Sequence, residues 1–417
     1  MTRHARFIWI NVCVNVALVG AAAWTIHRPT VVPIAPSALP QEVSMPVCAR
    51  LPDVSYRTLD VARIPGYLGD SQPGVYWVTA ASQDGTMIAG AFVGEEGTID
   101  HSVCNVHGFV WTRKTGWVDL SHRYPALDNV FDVASASDDG KTLISRGGTA
   151  QRQDIFVSER GVIRTQLRAQ AARWLRQNLP LSGMVNAYKE SNIDCEVVSP
   201  DGSTMLLRCP GFSTLLWKPV SGFSLAKDLP PTATIRAMTA DGSIVAGCDG
   251  NLTFPINRGE AFVWSAKGGI RVVPYLPKTG QNIVYALSRD GSIAAGVSGN
   301  RLFRQIQSGA VEDLGRLPGN DIGGNVYRPG YYIKEREDRG FTISDRGNVI
   351  VGENDNIPFL WTPATGTVAL KDVLVSTRAE VAGMKIYSAV VSPDGAHITG
   401  FSAGDSTDLY RWQITLR

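Results

Sequence analysis

The densest group of side chains able to hold a metal ion lies in residues 92–107, where Glu95, Glu96, Asp100, His101, Cys104 and His107 share one polar stretch. Imidazole, thiolate and carboxylate are the usual ligands of zinc. A site also needs a fixed ligand geometry, and nothing in this spacing imposes one. The stretch reads as a solvated loop, and neither metal nor cofactor is expected. Acid–base chemistry would need convergent titratable groups. The histidines after the first few residues are His27, His101, His107, His122 and His397, and none recurs at equivalent places in the chain. No catalytic residue is assigned.

Two further segments carry side chains suited to recognition. In residues 165–178, Leu167, Ala171, Trp174 and Leu175 fall at near-helical spacing opposite Arg168, Arg173 and Arg176. A basic amphipathic helix grips a partner or lies on a membrane surface, or it simply packs against the body. Trp174 and Arg173 are its candidate contacts. Residues 320–339 hold Gly323-Gly324, Tyr327, Tyr331, Tyr332 and the charge run Lys334 to Arg339. Exposed tyrosines suit protein or carbohydrate contact; ordinary loop packing is the alternative.

The elements that must position these segments are set by a repeat. Ser or Thr, any residue, Asp and Gly recur as Ser82-Gln83-Asp84-Gly85, Ser137-Asp138-Asp139-Gly140, Ser199-Pro200-Asp201-Gly202, Thr239-Ala240-Asp241-Gly242, Ser288-Arg289-Asp290-Gly291 and Ser392-Pro393-Asp394-Gly395. Ser344-Asp345-Arg346-Gly347 is a seventh copy with its Asp moved one place. The successive glycines are 55, 62, 40, 49, 56 and 48 residues apart. Asp-Gly between apolar runs is a strong hairpin signal, because Asp bonds its own backbone and Gly accepts positive φ. Small-residue segments such as Val284-Tyr285-Ala286-Leu287 precede the turns. Aromatic strand centres follow at Trp111, Phe156, Trp217, Trp264, Phe303, Trp361 and Trp412.

Four short strands per unit of ~50 residues, repeated radially, make a β-propeller. Small residues suit an innermost strand near the axis, and the aromatic fills the wedge between neighbouring units. Only five residues follow Trp412, so the last unit lacks a strand. Arg316-Leu317-Pro318-Gly319 closes one unit, and the near copy Arg63-Ile64-Pro65-Gly66 stands at the start of the body. Residues 58–66 are therefore expected to complete the last unit. The expected fold is all-β: a seven-bladed β-propeller over residues 58–417 with one short inserted helix.

Ahead of the body, Arg3, His4 and Arg6 precede an apolar stretch from Phe7 to Ile26. Its length suits a transmembrane helix, and the flanking charge keeps its N-terminus inside. Ala21-Ala22-Ala23 equally suits cleavage of a signal peptide. Residues 1–28 are thus a signal anchor or a signal peptide. An anchor puts the body in the periplasm on the inner membrane; cleavage near Ala23 leaves it secreted or periplasmic. Pro29, Pro33, Pro36, Pro40 and Pro46 stiffen a linker over residues 29–57. The formal charge is +2, and the loss of Arg3, Arg6 and Arg28 with residues 1–28 leaves −1. Nothing in that balance draws nucleic acid. Cys195 and Cys209 flank the turn at Asp201-Gly202, which places a cross-strand disulfide among the expectations for an exported chain. Cys48 with Cys104 is a weaker pairing.

The repeat unit resembles the bacterial extracellular repeat of the HAF family. The best matches are Ala286 to Gly296, Glu260-Ala261-Phe262-Val263-Trp264-Ser265 with Gly268-Gly269, and Asp313 to Gly319. The resemblance implies an exported propeller-like protein and carries over no activity and no catalytic residue. Two functions remain open. One is a non-enzymatic binding module at the cell envelope, with a protein or carbohydrate partner. The other is an envelope hydrolase or lyase with its site at the axial mouth of the propeller.

Overall fold

In a computed structural model the chain divides into two compact units, Met1–Arg50 and Leu51–Arg417. The structure describes most of residues 59–416. Residues 1–58, 65–75, 94–105, 121–129, 179–192, 250–259, 319–340, 376–384 and several shorter stretches lie outside the described residues. That outer set includes the apolar N-terminal segment, the proline-rich linker, Cys48, Cys104, Tyr327, Tyr331 and Tyr332. Among the described residues no helix is long and apolar enough to cross a membrane.

Strand β1 (Leu59–Ile64) opens the body. The first meander is β2 (Tyr76–Ala81), β3 (Met87–Val93), β4 (Val106–Thr112) and β5 (Gly116–Asp119). The second is β6 (Val130–Ala136), β7 (Thr142–Gly147), β8 (Asp154–Glu159) and β9 (Val162–Arg164), followed by helix α1 (Leu167–Asn178). The third is β10 (Asp194–Val198), β11 (Met205–Cys209), β12 (Ser213–Lys218) and β13 (Gly222–Leu225). The fourth is β14 (Ala233–Met238), β15 (Ile244–Asp249), β16 (Glu260–Ser265) and β17 (Gly269–Val272). The fifth is β18 (Asn282–Leu287), β19 (Ile293–Ser298), β20 (Arg301–Ile306) and β21 (Val311–Arg316). The sixth is β22 (Thr342–Ile343), β23 (Ile350–Asn354), β24 (Ile357–Thr362) and β25 (Gly366–Ala369), followed by helix α2 (Leu370–Val375). Strands β26 (Lys385–Val391), β27 (His397–Ala403) and β28 (Leu409–Thr415) end the chain.

Each meander is one four-stranded antiparallel sheet, and β1 completes a seventh sheet in the order β1-β28-β27-β26. The expected return of the chain's beginning to its last unit is present, with Arg63 opposite Tyr410 and Val61 opposite Trp412. The first strands β2, β6, β10, β14, β18, β22 and β26 each neighbour the next, and β26 neighbours β2. Arg411 crosses the same junction, its Nε donating to the Gly85 carbonyl at 2.8 Å. The body is an all-β propeller.

The core lies between sheets. Leu206, Val197 and Leu216 of the third sheet pack with Val245, Phe262 and Trp264 of the fourth. Ala286, Ile293 and Leu302 of the fifth meet Ile350, Phe359 and Trp361 of the sixth. Val349, Val351 and Leu360 of the sixth meet Ala389, Ile398 and Trp412 of the seventh. Trp264, Trp361 and Trp412 thus each face the preceding sheet, as a wedge filler must. Burial of one such side chain is worth roughly 1.5–3 kcal/mol. Trp264 also donates from Nε1 to the Lys227 carbonyl at 2.9 Å, which ties its sheet to the connection that enters it.

The repeated turn is a hydrogen-bonded unit. Ser288 Oγ donates to Asp290 Oδ1 at 2.8 Å and accepts from the Ile293 N–H at 2.9 Å, while Ser292 N–H donates to Asp290 Oδ1 at 2.9 Å. Ser82, Ser199, Thr239 and Ser392 repeat the hydroxyl-to-Asp bond. In the displaced copy Asn348 supplies the missing oxygen, accepting from Ser344 Oγ at 2.8 Å. The turn glycine has two duties. At Gly242 φ is +69°, and a Cβ would stand 2.4 Å from Thr204 Cβ of the preceding sheet. The turn therefore packs against its neighbour through the space a side chain would fill. The second recurring glycine, five residues on, clears space for other groups. A Cβ at Gly247 would meet the Thr234 carbonyl oxygen, and at Gly400 the Trp412 ring, both at 1.9 Å.

Three expectations need correction. First, α2 is a second inserted helix. Its Leu370, Val373 and Leu374 are buried at i, i+3 and i+4 in the sixth–seventh sheet core, a pattern lost in the apolar run that continues from β25. Second, Arg168 of α1 is buried, so the exposed basic face is narrower than its sequence suggests. Third, Cys195 and Cys209 are not joined: Cys209 is a free, buried thiol. The register sets Cys195 opposite Leu207 and Asp194 opposite Arg208, so the two cysteines are offset along the strands. A disulfide needs Cβ atoms about 3.5–4.5 Å apart, and diagonal neighbours stand about 7–8 Å apart. Burial pushes the Cys209 thiol up to about 12, which suppresses the reactive thiolate. In the native protein Cys209 is expected to resist a thiol-specific disulfide reagent at pH 8 and to react once guanidinium unfolds the chain. Site-resolved mass spectrometry checks this, and fast native labelling would contradict the burial.

Candidate functional site

Antiparallel order sorts the connections by end. The first strand of each sheet runs into the Ser-x-Asp-Gly turn, and the third runs into the hairpin before the fourth, so both turns share one end. Links from second to third strand, and from one sheet to the next, share the other. At the turn end the links are short, as in residues 288–292 and 307–310. At the loop end they lengthen to residues 94–105 and 250–259 within sheets, and to 165–193, 317–341 and 370–384 between them. The three segments singled out from sequence, 92–107, 165–178 and 320–339, all leave and rejoin the sheets at the loop end.

The turn end is tied together by main chain. Asp201 N–H donates to the Ala240 carbonyl and Ala240 N–H to the Arg289 carbonyl, both at 3.2 Å. Arg289 N–H donates to Asp345 Oδ1 at 3.3 Å, and Asp345 N–H to the Pro393 carbonyl at 2.7 Å. The displaced Asp of the seventh copy thus joins two neighbouring turns. Among the described turns, Asp84, Asp201, Asp241, Asp290 and Asp394 are held within their own loops. The Ser243 N–H holds Asp241 below the usual carboxylate range, the Ser292 N–H does so for Asp290, and the Ser392 hydroxyl does so for Asp394. Their chemistry is structural. Among the described residues no three His, Cys, Asp or Glu side chains lie close enough to hold a metal ion.

At the loop end a shallow, open cleft lies between the fifth and sixth sheets, lined by Ile283, Tyr285, Val297, Gly299, Phe341, Glu353 and Asn354. Tyr285 lies at the bulge of β18, where the register slips between Val284 and Ala286. The Tyr285 and Phe341 rings stack at 4.8 Å and 28°. Phe341 in turn sets its edge on Phe359 at 5.2 Å and 70°, and Phe359 is fully buried. The ring pair is therefore braced from behind. Asn354 Nδ2 donates to the Pro318 carbonyl at 3.0 Å, which orients the amide.

Of the contact residues marked in the sequence, Trp174 and Arg173 are not brought to this cleft, and Tyr327, Tyr331 and Tyr332 lie outside the described residues. Trp174 is half-buried and packs on Phe223 of β13, ring centroids 6.4 Å apart. Arg173 is exposed on the outer side of α1. The helix buries Leu167, Ala171 and Leu175 against Met205, Leu207, Leu215 and Trp217 of the third sheet, so packing accounts for its apolar face. Sequence reasoning passed over Tyr285, Phe341, Glu353 and Asn354. One signal was present: Tyr285 and Phe341 each stand three residues before the turn serine, Ser288 and Ser344. Two large rings recur there beside a segment otherwise rich in small residues.

No family model matches the chain, and no curated protein matches it. The structure is similar to the β-propeller domain of Cps50 (Swd1) from Myceliophteria thermophila, with 10% identity, 81% of this chain and 99% of that chain covered, and a TM-score of 0.41. It is also similar to TolB from Acinetobacter baumannii, with 13% identity, coverage of 80% and 64%, and a TM-score of 0.39. The class rests on the chain's own strand pairing: an all-β propeller that gathers its long connections at one end.

Proposed function

We propose that the protein is an exported seven-bladed propeller of the HAF-repeat type, acting as a non-enzymatic binding or interaction module at the bacterial cell envelope. The observation that carries this reading is the asymmetry of the sheets' two ends. One is closed by short turns whose acids serve the turns themselves, while the other gathers every long connection and a braced aromatic cleft. Scaffolds place recognition on variable connections held by rigid elements. Export rests on the apolar segment from Phe7 to Ile26 with its basic flank. We read it as an anchor in the inner membrane with the body in the periplasm.

The partner is a protein or a carbohydrate of the envelope. Affinity capture from envelope extracts and on immobilised glycans, with the full chain as bait, tests the reading. Specific retention is expected, and it should fall when residues 165–178 or 320–339 are shortened. Undiminished retention by both shortened forms would place binding away from the loop end. No retention by the intact chain would end the binding reading.

A further inference from the structure

We propose that the connection from the fourth sheet to the fifth, Val272 to Lys278, docks an acidic segment of a protein partner, with Lys278 as the carboxylate contact. The inference deepens the binding-module reading and rests on it. Its first basis is backbone conformation. Leu276, Pro277, Lys278 and Thr279 form a turn closed by the Thr279 N–H, which donates to the Leu276 carbonyl at 3.2 Å. Proline in second place and positive φ in third mark a type II turn, which calls for Gly in third place. Two sister connections provide that glycine in sequence, as Leu317-Pro318-Gly319 and Ile64-Pro65-Gly66. Here Lys278 holds the place at φ +67°, where an L side chain crowds its own backbone. Its side chain is exposed and gains little packing to offset that crowding. Residues kept in such conformations cluster at binding sites.

The second basis is the surface beside it. Val273 and Leu276 are buried in the core between the fourth and fifth sheets, while Val272, Pro274 and Pro277 of the same connection are exposed. Val272 is 52% exposed, high for a large apolar side chain. The strap is held from beneath. Buried Asn282 donates from Nδ2 to the carbonyls of Val273 and Pro274 at 2.7 and 3.2 Å. Ser298 Oγ accepts from the Leu276 N–H at 3.2 Å, and Thr279 Oγ1 donates to the Leu276 carbonyl at 2.7 Å. The contact face is therefore set before a partner arrives, which lowers the ordering cost of binding. An ammonium only donates hydrogen bonds and so takes an oxyanion. The exposed prolines and Val272 offer apolar area that a hydroxyl-covered glycan would leave wet. A protein segment has apolar side chains beside its acids to cover it. No residue from 272 to 279 is acidic, so the strap adds no repulsion of its own.

The test titrates the full chain by NMR with acetyl-Leu-Glu-Leu-Glu-Leu-amide, its glutamine counterpart and trigalacturonate. The acidic peptide should bind. Loss of its charges, or the variant Lys278→Gly, should each weaken binding by about fivefold or more, the scale of one exposed ion pair. Lys278→Arg should keep most of the affinity. The Lys278→Gly protein should melt at the wild-type temperature or above, because glycine relieves the turn. A lower melting temperature would mean that Lys278 serves the fold, and would overturn the proposal. So would equal binding of the two peptides, undiminished binding by Lys278→Gly, or no binding of the acidic peptide. Tighter binding of trigalacturonate would overturn it too and assign the strap to an acidic glycan. Capture separates the two levels. If wild type and Lys278→Gly retain the same envelope proteins in equal amounts, the module binds but not through this strap; if neither retains any, the module reading itself fails.

Discussion

Trp412→Ala is expected to destabilise the propeller by about 3–5 kcal/mol, the usual cost of removing a large aromatic from a packed interior. Trp412 is fully buried, in the core shared by Val351 and Leu360 of the sixth sheet and Ile398 of the seventh. Its ring covers Gly400 so closely that a Cβ there would overlap it, and its Nε1 donates to Ser402 Oγ at 2.8 Å. Truncation therefore opens a cavity between two sheets and strands a buried hydroxyl. Chemical denaturation of the two proteins measures the difference. A loss under about 1 kcal/mol would mean that the sheets close over the gap, against the rigid wedge described above.

Deletion of residues 1–64 is expected to be more damaging still. It removes β1, whose pairing from Leu59↔Ile414 to Ile64↔Leu409 is the outer seam of the seventh sheet. Without it β28 exposes an unpaired edge, a ready template for association with another copy. The adjoining contacts weaken with it, including Arg411 to the Gly85 carbonyl. The stability of a whole domain is about 5–15 kcal/mol, so loss of a strand at the closure is on the scale of the total. A comparison with the chain lacking only residues 1–57 isolates the effect. We expect that control to melt in one sharp transition and the longer deletion to aggregate or lose its transition. Equal melting temperatures would show that β1 is dispensable.

Much of this architecture is readable before any coordinates. The Asp-Gly turns announce themselves because their chemistry is local: Ser, Asp and Gly must sit within four residues for the hydroxyl, carboxylate and positive φ to meet. The closing strand is readable for a different reason, since Arg63-Ile64-Pro65-Gly66 copies the end of another unit. What escaped has longer-range causes. The bulge that sets Tyr285 into the cleft is a register slip of β18 against β19, visible only once the strands pair. The separation of Cys195 from Cys209 is a register effect too, and counting residues from the turn cannot supply it. The cleft itself draws Tyr285 and Val297 from one repeat and Phe341, Glu353 and Asn354 from the next, so no single unit carries its signature.

The pairing of β1 with β28 also bears on the order in which the protein is made. The first strand of the body to leave the ribosome has as its partner the last one. At ~5–20 residues per second the wait is on the order of tens of seconds. Throughout it the nascent body has two sticky margins and no way to mate them. A chaperone that shields Leu59–Ile64 until β28 emerges would protect a seam that cannot form early.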